Sequence, residues 1–195
     1  MKQRIEAFLS EALHSLQREG TLPETLTPEI RADWTLEKGF GDYSTNLPLL
    51  LGKPSRQAPR EIASALIVVL PENDLIEHAE VAKAGFINFY IKPSARYEYI
   101  VHLITTNPPE IEANYQGTID AESLEVMQYA HARICSVLRQ LKERGLEWDQ
   151  SIGCSRLDLL VHPQEQYLIC TLARFPEILM AADGQSLAPY LTALA

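Results

Sequence analysis

The stretch VMQYAHARICSVLRQ, residues 126–140, is the strongest amphipathic segment in the second half of the chain. Its apolar residues recur at intervals of three and four positions, and this spacing predicts a helix with one apolar face. The face consists of Val126, Ala130, Ile134, Val137, Leu138 and the following Leu141. Because helices in proteins are stabilised mainly by packing such a face, we expect it to lie in the core of its domain.

The polar residues of the same helix suggest a chemical alternative. His131 and Cys135 are four positions apart, so their side chains share one side of the helix. A thiolate beside an imidazole can act as a nucleophile with its base. However, a free Cys is more often a small apolar residue than a reactive one. We therefore predict no catalytic residue in this helix, and none elsewhere in the chain.

The sequence on both sides of this helix predicts a helical bundle. Asp120 is a suitable N-cap, and Gly145 is a suitable residue to end the helix. Apolar spacing continues after Pro163, and Pro176 is expected to kink or interrupt the helix that follows. No segment of this half alternates between apolar and polar residues as a strand does. We therefore predict an all-α domain over residues 120–195.

The first half combines helical and extended patterns. The predicted helices are 5–17, 46–51, 59–69 and 93–106, and the predicted strands are 30–37, 76–81 and 86–91. This order predicts a small antiparallel sheet covered by helices, which is an α+β domain over residues 1–106. Residues 107–119 contain two prolines among mixed polar residues and are predicted to form a linker.

Composition restricts the class of protein. The chain has 195 residues, of which 46% are hydrophobic and 22% charged, as in ordinary soluble domains. No apolar run approaches ~20 residues, so we expect no membrane segment. Acidic residues near the N-terminus argue against a secretory signal. The three cysteines lack CxxC spacing, which favours a reducing cytoplasmic location. The five histidines lack metal-ligand spacing, so neither a metal nor a cofactor is predicted.

Three segments of the first half follow one another at a specific spacing. They are KGFGDYSTNLPLLLGK from residue 38, APREIASALIVVL from residue 58 and VAKAGFINFYIK from residue 81. Together they resemble the N-terminal additional domain of arginyl-tRNA synthetases, in which a GDYATN turn, a PREIA helix and a GPGFINF strand occur in this order. One departure is Ala84, which stands where the family has proline.

The second half carries the same resemblance in longer segments. VMQYAHARICSVLRQ is similar to the YVQYAHARICSILR helix of these synthetases. LLVHPQEQYLICTLARFPEILMAA, from residue 159, and LAPYLTALA, from residue 187, resemble helices of their DALR-type anticodon-binding domain. The family continues beyond this point through a further helix and a C-terminal tail. We therefore expect a truncated DALR-type domain.

The resemblance implies an RNA contact in the first domain. In the family this domain is not catalytic, and it contacts the elbow of tRNA, where bases of the D-loop are displaced and read. The family's reading residues map onto Lys83, Phe86 and Asn88. An aromatic ring can stack on an unpaired base and an amide can bond its edge, so these residue types suit the role. The structural alternative is that Phe86 packs in the strand core and Asn88 faces solvent.

Because the net charge is −9, RNA contact requires a local basic patch. One candidate patch contains Arg139, Lys142 and Arg144, at the end of the helix that starts near residue 120. A second candidate patch contains Lys53, Arg56 and Arg60. Either group could contact phosphates. A solvated surface explains each group equally well.

The catalytic machinery of the family has no counterpart in these residues. In the synthetase a whole catalytic domain separates the two modules, whereas residues 92–126 separate them here. No segment resembles the HIGH signature, a KMSK-type lysine loop or a glycine-rich phosphate loop. We therefore predict a non-catalytic protein that binds tRNA or a tRNA-like RNA.

Two other functions are compatible with the sequence. The chain could be a protein–protein adaptor that has kept both folds and lost RNA binding. A truncated bundle would leave Leu187, Leu191 and their apolar neighbours uncovered, and such a patch recruits a partner or leads to self-association. The chain could also be an accessory subunit that assists an intact synthetase.

Overall fold

The computed structural model describes residues 1–35, 40–106, 120–147, 149–180 and 187–195. The chain divides into two compact units, Met1–Ala95 and Arg96–Ala195. The division falls near the start of a helix over Pro93–Thr105, which the sequence pattern assigned to the first domain. The predicted linker over residues 107–119 lies outside the described residues.

The first unit is an antiparallel sheet with helices, as predicted. Its elements are α1 (Lys2–Arg18), β1 (Asp33–Trp34), β2 (Tyr43–Thr45), α2 (Leu47–Ser55), α3 (Pro59–Val68), β3 (Ile76–Ala82) and β4 (Phe86–Ile91). The strands lie in the order β1-β2-β4-β3, and each neighbouring pair is antiparallel. The α+β prediction for this part of the chain is confirmed.

The two faces of β4 show why this sequence folds as a half-buried sheet. Successive side chains of a strand point to opposite faces. Ile87, Phe89 and Ile91 are buried and belong to one hydrophobic core, together with residues of all three helices. Phe86 and Tyr90 alternate with them and are half-buried. The core therefore lies between the sheet and the helices.

The second strand was not predicted from the sequence. The sequence analysis predicted no strand between the strand over residues 30–37 and the helix over residues 46–51. The structure places Tyr43–Thr45 in the sheet, with Tyr43 opposite Phe89 and Thr45 opposite Ile87. Three residues are too few to show a period of two in the sequence. The predicted strand 30–37 is limited to Asp33–Trp34 among the described residues.

The second unit is helical, and its described residues contain no strand, as predicted. It holds most of α4 (Pro93–Thr105), followed by α5 (Ala121–Glu143), α6 (Gln150–Ser155), a 3-10 turn (Leu157–Leu159), α7 (Pro163–Ala173), α8 (Phe175–Met180) and α9 (Leu187–Leu194). Asp120 caps α5 by accepting a bond from the Ser123 amide at 2.8 Å. Gly145 follows α5 with φ of +71°. Pro176 is the second residue of α8, just after the break that follows α7, so the predicted interruption of this helix is confirmed.

The expectation that the apolar face of α5 is core is wrong. No residue of this 23-residue helix is buried. Ile134 is 60% exposed, Val137 51% and Leu138 50%. Within the described part of the unit, α5 packs mainly against α9, which has only 8 residues. A helix rises about 1.5 Å per residue, so α9 spans roughly a third of the length of α5 and leaves most of its face uncovered.

Candidate nucleic-acid interface

The β3–β4 turn, residues 82–86, presents the first predicted contact residue. Lys83 is exposed and adopts φ of +48°, and Gly85 adopts φ of +131°. A Cβ atom on Gly85 would lie 2.6 Å from Cβ of Pro59 and 3.0 Å from its carbonyl carbon. Only glycine combines this backbone conformation with so close an approach. The turn is therefore seated directly on the first residue of α3.

A second contact holds the turn at the backbone of Lys83. The Arg60 Nη1 atom donates a hydrogen bond to the Lys83 carbonyl oxygen at 2.5 Å. The Lys83 ammonium lies 4.9 Å from the ring centroid of Phe40, a cation–π distance. Because its backbone is fixed and its ammonium rests over a ring, Lys83 is held in place while it stays exposed to solvent.

Further cations surround the start of α3. A Cβ atom on Gly52 would lie 2.8 Å from Cγ of Pro59, so the end of α2 is packed against the same residue that supports the turn. This brings four exposed cations to adjoining segments, and we call them the basic surface. The basic surface consists of Lys53, Arg56, Arg60 and Lys83. Within the described residues, none of the four forms an ion pair with a carboxylate.

Phe86 and Asn88, the two other residues predicted for this site, differ in their exposure to solvent. Phe86 is half-buried on the outer face of β4, opposite Ala82 of β3. Asn88 lies on the same face between Ser44 and Glu80, and only 4% of its surface is exposed. A buried amide cannot reach the edge of a base in this conformation. The burial therefore opposes the predicted direct contact of Asn88, and it equally opposes the alternative of a solvent-facing Asn88.

Two aromatic residues near Asn88 were not identified from the sequence. His78 and Tyr90 stack with ring centroids 4.1 Å apart and an interplanar angle of 11°. Partial desolvation, and then the Glu80 carboxylate, raise the pKa of Tyr90, whose hydroxyl donates to that carboxylate at 3.4 Å. Tyr90 follows Phe86 at a distance of four in the strand, so the period of two places both rings on one face. From that spacing, the sequence could have predicted that Tyr90 lies on the same face as Phe86.

The other predicted RNA contacts lie at the end of α5. Arg139 and Lys142 are exposed and three positions apart, so they share one side of the helix. Arg144 is the C-terminal cap and is also exposed. No carboxylate among the described residues pairs with these cations. Cations are favourable at this end of a helix because of its dipole, and their charge is open to phosphate.

The pair His131 and Cys135 does form a contact. The Cys135 Sγ atom lies 3.7 Å from Nε2 of His131. Helical spacing alone brings the two side chains together. In the described part of the chain, no three His, Cys, Asp or Glu side chains are arranged to hold a metal ion. Among the described helices, none has the length and apolar character needed to cross a bilayer.

Comparison with known domain families assigns both parts of the chain. Residues 2–91 match the arginyl tRNA synthetase N-terminal domain, and residues 127–195 match the DALR anticodon binding domain. The chain joins these two domains of the arginyl-tRNA synthetase family. The resemblance drawn from the sequence motifs is therefore confirmed. The β3–β4 turn and the basic surface belong to the N-terminal domain, and the cations at the end of α5 belong to the DALR domain.

Two proteins that are similar to most of this chain are named arginine–tRNA ligase. The enzyme of Legionella pneumophila strain Paris is 45% identical over 153 residues, which are 78% of this chain and 25% of that enzyme. The enzyme of Hydrogenovibrio crunogenus is 26% identical over 93% of this chain and 30% of its own length. The Thermus thermophilus arginyl-tRNA synthetase structure matches 98% of this chain and 37% of its own, with 16% identity and a TM-score of 0.44. The chain thus spans about a quarter of the length of its curated relatives.

Proposed function

We propose that this chain binds tRNA or a tRNA-like RNA and does not itself activate arginine. The observation that carries the proposal is the basic surface around the β3–β4 turn, with Phe86 at its edge. Exposed cations on adjoining segments are suited to phosphates, and a partly exposed ring is suited to an unpaired base. The relatives named above are called arginine–tRNA ligases, which supports the choice of RNA class.

Each group of residues has a distinct role in this proposal. Lys83 and its neighbours in the basic surface contact the phosphate backbone, and Phe86 stacks on a displaced base. Asn88, which is buried beside them, positions the strand rather than reading a base. Arg139, Lys142 and Arg144 of the DALR domain supply a second phosphate contact. These local patches must act against a net charge of −9, so we expect moderate affinity and a strong dependence on salt.

The proposal of a non-catalytic role is supported by the sequence between the two matched regions. Residues 92–126 contain no HIGH signature, lysine loop or glycine-rich loop for the phosphates of ATP. We therefore expect no arginine-dependent exchange of pyrophosphate into ATP. An exchange rate that is proportional to the concentration of this chain, after removal of host synthetase, would contradict this part of the proposal.

The direct test of RNA binding is an electrophoretic shift with total tRNA. The chain should shift tRNA at micromolar concentration in about 50 mM salt. The affinity should fall steeply by about 200 mM salt, since each phosphate contact releases counterions. A double-stranded DNA of similar charge is the competitor that tests the preference for RNA. The absence of a salt-sensitive shift at micromolar protein would overturn the proposal.

A further inference from the structure

Three side chains on the outer face of the sheet form a cluster that the RNA contacts proposed above do not use. They are His78, Glu80 and Tyr90, and we call them the aromatic platform. His78 stacks on Tyr90, with ring centroids 4.1 Å apart and ring planes inclined by 11°. The Glu80 Oε2 atom accepts from the Tyr90 hydroxyl at 3.4 Å, and its Oε1 atom lies 3.6 Å from Nε2 of His78. One carboxylate thus lies at the edge of both stacked rings.

The imidazole ring of His78 is covered on one side. Among the described residues, Tyr90 is the ring that contacts it. The His78 side chain is 48% exposed. A flat ring that is stacked on one face and free on the other keeps about half of its surface, so this exposure agrees with one open face. An aromatic ring with an open face is a surface on which a nucleobase stacks.

The aromatic platform lies on the same face of the sheet as Phe86. The register of β3 and β4 places His78 opposite Tyr90 and Ala82 opposite Phe86, and residues separated by two or four positions in a strand share a face. Tyr90 follows Phe86 by four residues, which is about 13 Å along the strand. A single base cannot reach both rings over this separation. Two nucleotides of one single-stranded segment can.

We propose that the aromatic platform binds a second unpaired base and that this base is guanine, an inference that rests on the RNA binding proposed above. The base stacks on the open face of His78, and Glu80 accepts hydrogen bonds from its edge. An ionised carboxylate only accepts hydrogen bonds. Among the four common bases, guanine alone offers two adjacent donors on its Watson–Crick edge, N1–H and the N2 amino group. These donors match the two oxygens of one carboxylate.

The contacts that Glu80 makes within the protein leave its carboxylate available to a base. Both are long, at 3.4 and 3.6 Å, and each carboxylate oxygen has a second lone pair. The Glu80 side chain is 59% exposed. Its negative charge repels phosphates, so this part of the face favours the edge of a base over the RNA backbone. The backbone is left to the basic surface, which contains Lys83 in the turn that joins β3 to β4.

Removing both rings tests the aromatic platform. The double variant His78→Ala/Tyr90→Leu removes them together, because Tyr90 alone could replace His78 as a stacking surface. It should bind labelled tRNA roughly tenfold more weakly in fluorescence anisotropy, because one stacked base is lost. The slope of log affinity against log salt should stay unchanged, because no phosphate contact is removed.

The matched control is His78→Phe/Tyr90→Phe, which keeps two rings and should bind tRNA within about twofold of wild type. Circular dichroism and urea unfolding establish that each variant is folded. If the variant without rings is folded and binds like wild type, the aromatic platform does not bind a base, although the proposed RNA binding stands. If wild type shows no salt-sensitive binding to tRNA, both proposals fail.

Competition by short RNAs tests the choice of guanine. The competitors are single-stranded uridine octamers that carry one guanine or one adenine at the same position. Wild type should prefer the guanine octamer by at least roughly fivefold, because only guanine gives Glu80 two donors. Glu80→Gln has nearly the same size but presents an amide donor, so it should reduce this preference to less than about twofold. Equal affinity of wild type for the two octamers would overturn the assignment of guanine.

Glu77→Gln is the matched control for Glu80→Gln. Glu77 is an exposed acid on the same strand, and its substitution removes the same negative charge. Either variant can strengthen the binding of both octamers, since the repulsion of phosphates is reduced. The ratio of the two affinities is therefore the measured quantity, and Glu77→Gln should keep the wild-type ratio. Equal loss of the preference in both variants would show that Glu80 does not contact the base.

Discussion

At the scale of single residues, the β3–β4 turn depends on Gly85. Replacing Gly85 with Ala should lower the free energy of unfolding of the first unit by roughly 2–4 kcal/mol, because strain at positive φ is added to overpacking against Pro59. The 2.6 Å approach involves Cβ of a rigid ring, and the next involves a backbone carbon. Urea unfolding followed by circular dichroism measures the loss.

Gly20→Ala is the matched control for Gly85→Ala. Gly20 also has positive φ, +73°, but no atom lies within 4 Å of the position that a methyl group would occupy there. The control should therefore show only the conformational cost, about 1 kcal/mol. Equal losses for the two variants would show that the contact between Gly85 and Pro59 does not contribute.

Phe86 is the residue at which base stacking can be tested. Phe86→Leu keeps an apolar side chain on β4 but removes the ring, and it should weaken tRNA binding roughly tenfold, since stacking on one base is worth about 1–3 kcal/mol. Phe86→Tyr keeps the ring and should bind like wild type. Fluorescence anisotropy with labelled tRNA measures both. If the Leu and Tyr variants bind equally well, Phe86 does not stack on a base.

Tyr190 makes the stability of the second unit depend on pH in the alkaline range. Its hydroxyl donates to the Thr171 carbonyl oxygen at 2.9 Å, and burial raises its pKa from 10.0 to about 12. The unfolded chain therefore loses this proton at lower pH than the folded chain does. The stabilisation is fully present below pH 10 and is lost as the pH rises from 10 to 12.

Tyr190→Phe tests this dependence directly. The variant should lose part of its stability at about pH 8, because the hydrogen bond is removed, but its urea midpoint should fall less between about pH 9.5 and 11.5 than that of wild type. Other groups that titrate in this range are common to both proteins, so the difference isolates Tyr190. Parallel curves for the two proteins would show that Tyr190 does not cause the alkaline loss.

At the scale of elements, the basic surface and the cations at the end of α5 can be compared by how strongly each makes RNA affinity depend on salt. Removing one phosphate contact should reduce the slope of log affinity against log salt by about 0.7–0.9. The double variant Lys53→Ala/Lys83→Ala should therefore reduce this slope by up to about two units. Arg139→Ala with Lys142→Ala tests the DALR domain in the same way. Arg4→Ala is the control, because Arg4 is paired with Asp74 at 2.5 Å. A slope unchanged in both double variants would exclude both groups.

The elements differ in how far the sequence predicts them. Strand β4 was predicted over its full extent because its apolar residues and the preceding glycine are both local signals. The short strand β2 was not, since its place in the sheet is fixed by its partner β4. The helix α5 was predicted correctly, but its burial was not, because periodicity shows that a face is apolar and does not show what covers it.

The same limit applies to the candidate site. The motif alignment identified Lys83, Phe86 and Asn88 from the resemblance, and the exposure of Lys83 follows from its place in a turn. The burial of Asn88 does not follow, because it depends on the neighbouring strands on both sides. The stacking of His78 on Tyr90 likewise depends on the register between β3 and β4, which no local pattern in the sequence specifies.

At the scale of the whole molecule, the two units have unequal cores. The first unit has one large cluster that joins its helices to its sheet. The buried hydrophobic residues of the second unit, within its described parts, are Ile100, Ile169, Ala173 and Tyr190. Since the stability of a segment follows the apolar area that it buries, the two units should open independently and at different free energies.

Hydrogen exchange at low protein concentration should show this difference. Backbone amides of α1 and β4 should be protected at least roughly 100-fold more than those of α5, because α5 buries no residue of its own. Comparable protection in α5 and β4 would mean that α5 is covered within the single chain.

The contact between Gly85 and Pro59 also governs how this sequence can diverge. The approach to Gly85 includes the backbone carbon of residue 59, so no substitution there makes full room for a side chain. We therefore expect position 85 to remain glycine in sequences that keep this turn. The side chains of Lys83 and Ala84 are exposed in the same turn, and the φ of +48° at Lys83 disfavours mainly β-branched residues there. Natural variants can thus alter the chemistry that the turn offers to a ligand while inheriting its geometry unchanged.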